Sequence, residues 1–262
     1  MINFWAIRQG FVQQALTFLA DPQWIIPSIV APFTFTLVTL MMYPDQSGLV
    51  VLYAVLGGGI LGMWGNMIRS SGFSITYDRV VGTLEPIMIT PTPIINIVAG
   101  RALWNTLIGL LNAALIFLLA ELAFGVEVSL SDPVLFFLAL LITLLSLGAI
   151  GVLLSALFVL TRASGTIVQV IELPVFVISG ALLPISKLPE WTWPISMALP
   201  PTWGVDALQI SSGLGSGNPL SLGLIGDLAL ASAIGACYML VAIALFHYLD
   251  SSARISGQLG TW

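Results

Sequence analysis

The chain has 262 residues, of which 58% are apolar and only 7% are charged, and its mean hydropathy is +1.05. A soluble domain needs about 25% charged residues to cover its surface, so this composition excludes a soluble globular protein and predicts a surface that faces lipid. The formal charge of −5 comes with no basic stripe, which argues against a nucleic-acid partner. The single cysteine excludes an intramolecular disulfide and a cysteine-based metal cluster. We therefore expect one all-α membrane domain over residues 1–262.

Residues 1–21 are amphipathic rather than uniformly apolar. On a helical wheel the large apolar side chains share one broad side, and small or polar residues lie opposite. The apolar side carries Phe4, Trp5, Phe11, Val12, Leu16 and Leu19. This pattern predicts a helix that lies in the membrane interface and ends at Asp21-Pro22. A cap helix that faces water is the alternative.

Six later segments are apolar and long enough to cross a hydrocarbon core of about 30 Å, which takes roughly 20 residues. We predict transmembrane helices at about 24–42, 49–68, 102–124, 133–160, 165–183 and 224–249. Six of the seven Arg and Lys residues then lie on the same side as the amino terminus, and only Lys187 lies on the other. Because basic residues favour the cytoplasmic side, we expect both termini in the cytoplasm.

The cytoplasmic connection at residues 69–101 is longer than a turn requires, and long loops often carry function. It contains Gly82-Thr83-Leu84-Glu85-Pro86, followed by two Thr-Pro pairs. Thr83 suits an N-cap, Pro86 fits only the first turn of a helix, and the Thr-Pro pairs end the helix soon after. We predict a helix of about two turns. Its apolar residues 87–89 cannot all face one side, so at least one is available to a partner.

In this loop the sequence resembles the permeases of the ABC-2 family. There, an acidic–basic pair, two variable residues, Gly-Thr-Leu-Glu and a downstream Thr-Pro mark the cytoplasmic coupling helix. The matching residues are Asp78, Arg79, Gly82, Thr83, Leu84, Glu85, Thr90 and Pro91, with Ile87 inside the helix. The departure is Asp78, where the family more often has Glu. The resemblance implies that this helix docks into a groove of a separate ATPase subunit. An ordinary surface loop is the alternative.

The extracytoplasmic connection at residues 184–221 extends the resemblance. Family members follow the fifth helix with Ser-Gly, Pro, Leu-Pro, Trp and Pro, in a region that re-enters the outer leaflet and helps to form an extracellular gate. The corresponding residues are Ser179-Gly180, Pro184, Leu188-Pro189, Trp191 and Pro200-Pro201, with Asp206 following. Trp193 and Trp203 lie in the same region and suit that placement independently. Because tryptophan also favours the membrane interface, aromatic anchors without a gating role are the alternative.

Polar residues inside the predicted spans are costly and usually face the bundle interior or a cavity. Gln169 and Glu172 share a face of the fifth span, and Asn105 and Asn112 share a face of the third. These side chains either line the substrate route, as part of a gate and pathway, or form hydrogen bonds between helices.

The energy source is expected to lie on another polypeptide. The chain lacks the Gly-x-x-x-x-Gly-Lys-Ser/Thr pattern that cradles nucleotide phosphates, because its only lysine, Lys187, follows a serine. We expect no enzyme activity and no cofactor on this chain, with ATP and Mg bound by two copies of an ABC ATPase subunit. A second copy of this permease, or a paralogue, would enclose the pathway. The resemblance further implies a bacterial plasma (inner) membrane exporter of amphipathic cargo, either drug- or antibiotic-like compounds or lipids and lipid-linked glycans.

A second function class is an ion-coupled secondary transporter or channel with Glu172 as the coupling group. Such folds often contain internal repeats, and residues 24–124 and 133–249 show no convincing similarity. The coupling-helix motif would also have no purpose there. An intramembrane serine protease that uses His247 is disfavoured, because residues 162–165 have Arg where its nucleophile motif requires Gly.

Overall fold

The computed structural model describes residues 3–42, 48–90, 92–124, 132–160, 170, 174–175 and 177–256. Within these residues all regular structure is helical, which confirms the all-α prediction. The long helices are α1 (Phe4–Ala20), α2 (Pro22–Met42), α3 (Gly48–Met67), α6 (Ile94–Phe124), α7 (Pro133–Leu160) and α10 (Gly223–Ser256). The shorter elements are a π-helical turn (Ile68–Gly72), α4 (Ser74–Val81), α5 (Leu84–Ile89), two 3₁₀ turns (Ile185–Lys187 and Glu190–Thr192), α8 (Trp193–Ala198) and α9 (Pro200–Ser211).

Several described helices are long and apolar enough to cross a membrane. Four segments meet this condition within the described ranges: Val51–Gly72, Ile94–Leu118, Pro133–Val159 and Gly223–Ser251. Helix α2 contributes a shorter apolar stretch, Ser28–Val38. The predicted span at 165–183 lies mostly outside the described residues, so the count of six spans stays a prediction. The four segments make the chain a multi-pass membrane protein.

Helix α3 lies at the centre of the bundle, packed against α2, α6, α7 and α9. Two of its glycines face α2, where the backbone at Gly58 meets Thr36 and the backbone at Gly62 meets Pro32. Small residues of this kind let two membrane helices approach closely, so that van der Waals packing can hold them together. The close contact between α2 and α3 therefore depends on glycine, which has no side chain, at positions 58 and 62 of α3.

The predicted loop at 69–101 is mostly helical, which corrects the sequence-based boundary. It contains the π-helical turn, α4, α5 and the first turns of α6, which begins at Ile94 instead of near residue 102. The predicted third span, 102–124, begins directly after Arg101, because a charge usually marks the edge of an apolar run. That charge is neutralised by Asp78 inside the protein, so the helix continues through it.

Helices α4 and α5 pack onto the bundle through their own hydrophobic cluster. Ile75 of α4 and Leu84 of α5 are buried there, together with residues near one end of α6, α7 and α10. The other members are Ile94, Val98, Ala102, Val152, Ala156, Val159, Ala242, Phe246 and Leu249. The segment between α3 and α6 is thus part of the folded core.

Helix α1 packs its small residues on α6 and turns most of its large apolar residues outward. Gly10 of α1 and Gly100 of α6 each meet the backbone of the other helix. Trp5 and Leu16 are exposed, in keeping with the predicted apolar side. Phe11 differs, because its ring packs edge-on against Trp104 with 5.3 Å between ring centroids. The placement of α1 in a membrane interface stays a prediction.

Candidate functional site

Gly82 forms the junction between α4 and α5. It has a φ of +80° and ends α4 in the left-handed conformation, where a side chain is strained. Its N–H donates to the Arg79 carbonyl at 3.3 Å, and the Thr83 N–H donates to the Asp78 carbonyl at 2.8 Å. No atom lies within 4 Å of the position that a Cβ would occupy. The conformation, and not crowding, therefore requires glycine here.

We expect Gly82→Ala to lower the free energy of unfolding by about 1–2 kcal/mol, the cost of a left-handed L-residue. Thermal unfolding of the purified protein measures this. The control is Gly148→Ala, since Gly148 is in the middle of α7 and its added Cβ would meet only the Thr106 hydroxyl at 3.5 Å. Alanine favours a helix interior over glycine, so this control should be neutral or stabilising. Equal effects of the two substitutions would contradict the assignment.

Thr83 occupies the predicted N-cap position of α5. Its side chain makes no capping hydrogen bond to α5, and its hydroxyl instead donates to Asp78 Oδ1 at 3.1 Å. The Thr83 backbone is already in the α region, with φ −90° and ψ −10°, whereas a side-chain cap needs an extended residue. Because the acceptor is a carboxylate oxygen, the bond from Thr83 to Asp78 is charge-assisted. Thr83 therefore joins α5 to the Asp78 side chain.

Asp78 forms a buried ion pair with Arg101. The Arg101 Nη1 donates to Asp78 Oδ2 at 2.6 Å, and the Arg101 Nη2 donates to Asp78 Oδ1 at 3.1 Å. The same guanidinium donates to the Ser74 carbonyl at 3.3 Å and to Gln13 Oε1 at 2.9 Å. One side chain thereby joins α1, α4 and α6. Sequence reasoning missed Arg101, although a cation in a largely apolar helix signals a buried acidic partner.

A small polar cavity lies beside this ion pair. Its volume is about 30 Å³, which is room for about one water molecule. The lining residues are Gln13, Gln14, Thr17, Ser70, Ser74, Tyr77, Asp78 and Arg101. Arg101 Nε is buried in this structure without a hydrogen-bond partner. The cavity is too small for the cargo of a transporter, and we assign it no role in transport.

Arg79 ties the same region to α7. Its Nη2 donates to the Val159 carbonyl at 2.8 Å, in the last turn of α7. A cation at this position complements the partial negative charge of a helix carboxyl end. Asp78 and Arg79, both predicted to couple to a partner, are therefore held by contacts within the chain. Their role in coupling stays a prediction.

The surface of α4 and α5 is exposed and largely apolar. Val80 is 81% exposed and Ile89 is 70% exposed, with Val81 and the Glu85 carboxylate exposed between them. We call these four residues the docking patch. Leu84 and Ile87 face the opposite way, into the hydrophobic cluster. Thr90 ends α5 in the exposed part, and the predicted residue Pro91 lies outside the described residues.

The predicted gate residues begin where the chain returns to α3. Gly180 has a φ of +81°, and its carbonyl accepts a hydrogen bond from the Tyr53 hydroxyl at 3.2 Å. The next residue, Ala181, packs its backbone against Gly57 of α3. Gln169 and Glu172 lie outside the described residues, so their place in a pathway stays a prediction.

The re-entrant segment that was predicted from the sequence contains two short helices. Pro200 begins α9, which is buried along almost its whole length between α7 and α10. Trp203 is buried, and its Nε1 donates to the Met197 carbonyl at 2.9 Å. In α7, Thr143 lies against Gly204, where any side chain would collide with it. Trp203 is therefore a core residue of this segment.

The other predicted gate residues lie nearer the surface. Trp193 is half-buried and donates from Nε1 to the Leu188 carbonyl at 3.3 Å. Trp191 is 73% exposed. Pro184 is half-buried and Pro189 is exposed. Trp191 alone of the three tryptophans projects freely, as an interface anchor would.

Helix α7 connects the two candidate regions. Its 28 residues span about 42 Å at 1.5 Å per residue. Arg79 binds at Val159 near one end, and α9 packs at Thr143 nearer the other. The Asp132 N–H, just before α7, also donates to the carbonyl of Ser211 at the end of α9 at 3.3 Å. A displacement of α7 would therefore reach both regions.

Comparison with known proteins agrees with this arrangement. The family model of the ABC-2 type transporter matches residues 6–211, which is well over half of the chain. The match includes α4, α5, α7 and α9. Among curated proteins, no sequence matches the chain. The chain therefore belongs to the ABC-2 type transporter family, whose members are permease components of ABC transporters and associate with an ABC ATPase subunit.

Proposed function

We propose that this chain is the permease subunit of an ATP-binding-cassette exporter, and that its separate ATPase subunit binds the docking patch. The observation that carries the proposal is the two-sided packing of α5. Leu84 and Ile87 fix one side of this helix to the permease core, while Ile89 on its other side is exposed, as is Val80 of the neighbouring helix α4. An exposed apolar surface beside a single carboxylate suits a protein partner.

The connections behind the docking patch support transmission of movement. Thr83 and Arg101 both bind the Asp78 carboxylate, so α5 is coupled to α4, α6 and α1. Arg79 couples the same segment to α7. Because packed elements move together instead of deforming continuously, closure of the ATPase against α5 would displace α7 and, through it, α9. The gate region around α9 would then respond to ATP hydrolysis on the partner.

The rest of the proposed complex follows from the family and from the sequence. Two ATPase subunits bind ATP and Mg, and two permeases, as a homodimer or with a paralogue, enclose the pathway. We place both termini and the docking patch in the cytoplasm of a bacterium, with α9 toward the outer side of the inner membrane. Gln169 and Glu172 face the pathway. The cargo is amphipathic, drug- or antibiotic-like or else a lipid or lipid-linked glycan. Drug resistance and accumulation in a deletion strain distinguish these classes.

Docking is tested by co-purification of this permease with an ABC ATPase subunit that is expressed together with it. We expect Ile89→Asp or Val80→Asp to weaken the association at least about tenfold, because burying such a side chain contributes about 2 kcal/mol. Glu85→Lys tests the charge of the same patch. ATP-dependent transport in proteoliposomes should fall in parallel with the association.

The matched control is Leu220→Asp, an exposed apolar residue in the loop before α10, which should leave ATPase binding unchanged. Wild-type association of the Ile89 and Val80 variants would overturn the docking assignment. Sustained transport by the permease alone in ATP-free proteoliposomes would instead favour an ion-coupled transporter.

A further inference from the structure

Two buried aspartates meet where α9 and α10 are joined. Asp206 of α9 is 2% exposed, and Asp227, near the start of α10, is 0% exposed. The Asp227 carboxyl lies within hydrogen-bonding reach of the Asp206 carboxyl. Asp227 also lies beyond residues 6–211, the part of the chain that the family model matches. Asp206 itself lies in α9, inside that range.

The two carboxyls hold the loop between the helices, residues 216–222, which we call the latch loop. Asp206 Oδ1 accepts the N–H groups of Gly217 at 2.9 Å and Asn218 at 3.1 Å. The Ser216 hydroxyl lies 2.9 Å and 2.8 Å from the two Asp206 oxygens.

Asp227 binds the other end of the latch loop. Its Oδ1 accepts the Leu222 N–H at 3.0 Å, and its Oδ2 accepts the Ser221 hydroxyl at 2.6 Å. The side-chain Nδ2 of Asn218, in the middle of the loop, is buried without a hydrogen-bond partner. The two carboxyls and the loop therefore form one polar unit, in which the carboxyls are buried while Ser216, Leu220 and Leu222 of the loop are exposed.

No described cation neutralises this pair. Among the groups on the elements packed around α9, the Tyr53 hydroxyl donates to the Gly180 carbonyl, the Tyr238 hydroxyl donates to the Ala198 carbonyl, and Asp132, before α7, accepts from the first turn of α7. Lys187 and Glu190, before α8, are exposed. The remaining titratable residues of α10, which are Cys237, His247, Tyr248, Asp250 and Arg254, lie ten or more residues beyond Asp227 along that helix. In the described part of the chain, the hydrogen bonds of Asp206 and Asp227 go to the latch loop and to each other.

Two carboxylates in contact, away from water and without a cation, cannot both be ionised at low cost. A proton between the two carboxyls removes their repulsion. It also supplies the donor that a hydrogen bond between two carboxylate oxygens would otherwise lack. We propose that Asp206 and Asp227 form a proton-binding site that holds one shared proton while the latch loop is docked, and that loss of this proton releases the loop from α10. The proton belongs to the pair and not to either residue alone. That the site senses the pH outside the cell rests on the orientation in the proposed function.

The proton is tested in the purified permease without its ATPase, by infrared spectroscopy. We expect the wild-type protein to show a protonated-carboxyl band that shifts in D₂O, disappears at high pH, and is missing in both Asp227→Asn and Asp206→Asn. Ser221→Ala is the matched control, because it removes one hydrogen bond to Asp227 but keeps both carboxyls, and so keeps the band. Absence of a pH-sensitive carboxyl band in the wild type would overturn the proposal even if the asparagine variants do not fold.

Release of the loop is tested by amide hydrogen exchange, corrected for the intrinsic pH dependence. From about pH 5 to about pH 9, protection of the Gly217, Asn218 and Leu222 amides in the wild type should fall at least about tenfold. Asp227→Asn carries an amide that can donate to Asp206 without a titrating proton, so its latch loop should stay protected. An identical pH dependence in this variant and the wild type would refute the proposed release. Neither measurement involves the docking patch, so failure here leaves the proposed function standing.

Discussion

Replacement of Arg101 by methionine is expected to lower the free energy of unfolding by about 3–5 kcal/mol, the cost of leaving one partner of a buried ion pair alone. The side chains of Arg101 and Asp78 are only 4% and 6% exposed, so bulk water cannot solvate the Asp78 carboxylate once Arg101 is replaced. The bonds to Gln13 and Ser74 are lost as well. Unfolding of the detergent-solubilised protein, by heat or by denaturing detergent, measures the effect.

A double variant separates the unpaired charge from the loss of packing. Asp78→Leu combined with Arg101→Met removes both charges and should recover most of the lost stability, as apolar replacements of buried ion pairs often do. Arg79→Met is the control, since it removes a single hydrogen bond to the Val159 carbonyl and leaves no buried carboxylate without its ion-pair partner. If Arg101→Met unfolded like the wild type, Asp78 could not be a buried charge, and the connection between α1, α4 and α6 would be rejected.

Gly62→Ala is expected to lower the free energy of unfolding by about 1–3 kcal/mol, which is typical of overpacking in a close-packed interior. The added Cβ would overlap the backbone and the ring of Pro32 in α2. Neither can move aside without displacing the helix. Thermal unfolding measures the loss, and reduced packing of α2 should also make this helix easier to cleave with protease.

Gly59→Ala is the matched control for this prediction. It lies three residues away on the same helix, and Ile116 Cγ2 and Met63 Cε would lie 4.0 Å from its added Cβ, an ordinary contact distance. The nearest atom would be Ile116 Cδ1, at 3.2 Å. That atom is the end of a flexible side chain and can give way. Similar melting temperatures for the two alanine variants would show that α2 does not pack on α3 through Gly62.

The short helix α5 shows how far local sequence signals reach. Gly82 before it and the Thr-Pro pairs after it mark its ends, because glycine allows a left-handed residue and proline stops a helix. These signals predicted its length well. They could not select which apolar residue faces outward, because a helix of six residues has too few turns to show a periodic pattern. The structure places Ile87 in the core and Ile89 at the surface.

The polar residues of the third span needed tertiary information in the same way. The alternatives for Asn105 were a pathway or a bond between helices, and its Nδ2 donates to the Ser71 hydroxyl at 2.8 Å in the π-helical turn. This contact favours the bond between helices. Asn112 is buried, and its Nδ2 has no hydrogen-bond partner in this structure. The contact of Asn105 with Ser71 does not bear on the role of Asn112. Gln169 and Glu172 lie outside the described residues, so their place in a pathway stays a prediction.

By itself, the sequence determined that this protein is a helical membrane protein with a short helix between its second and third apolar segments, because composition and Gly or Pro punctuation act locally along the chain. Only the tertiary structure decided which charged or acidic side chains meet. Asp78 and Arg101 are 23 residues apart, and Asp206 and Asp227 come from different helices. Pairing of this kind depends on which faces of the helices meet, and burial then removes the water that would otherwise screen the charges. The connections behind the docking patch and the acidic pair at the latch loop are therefore properties of the folded bundle.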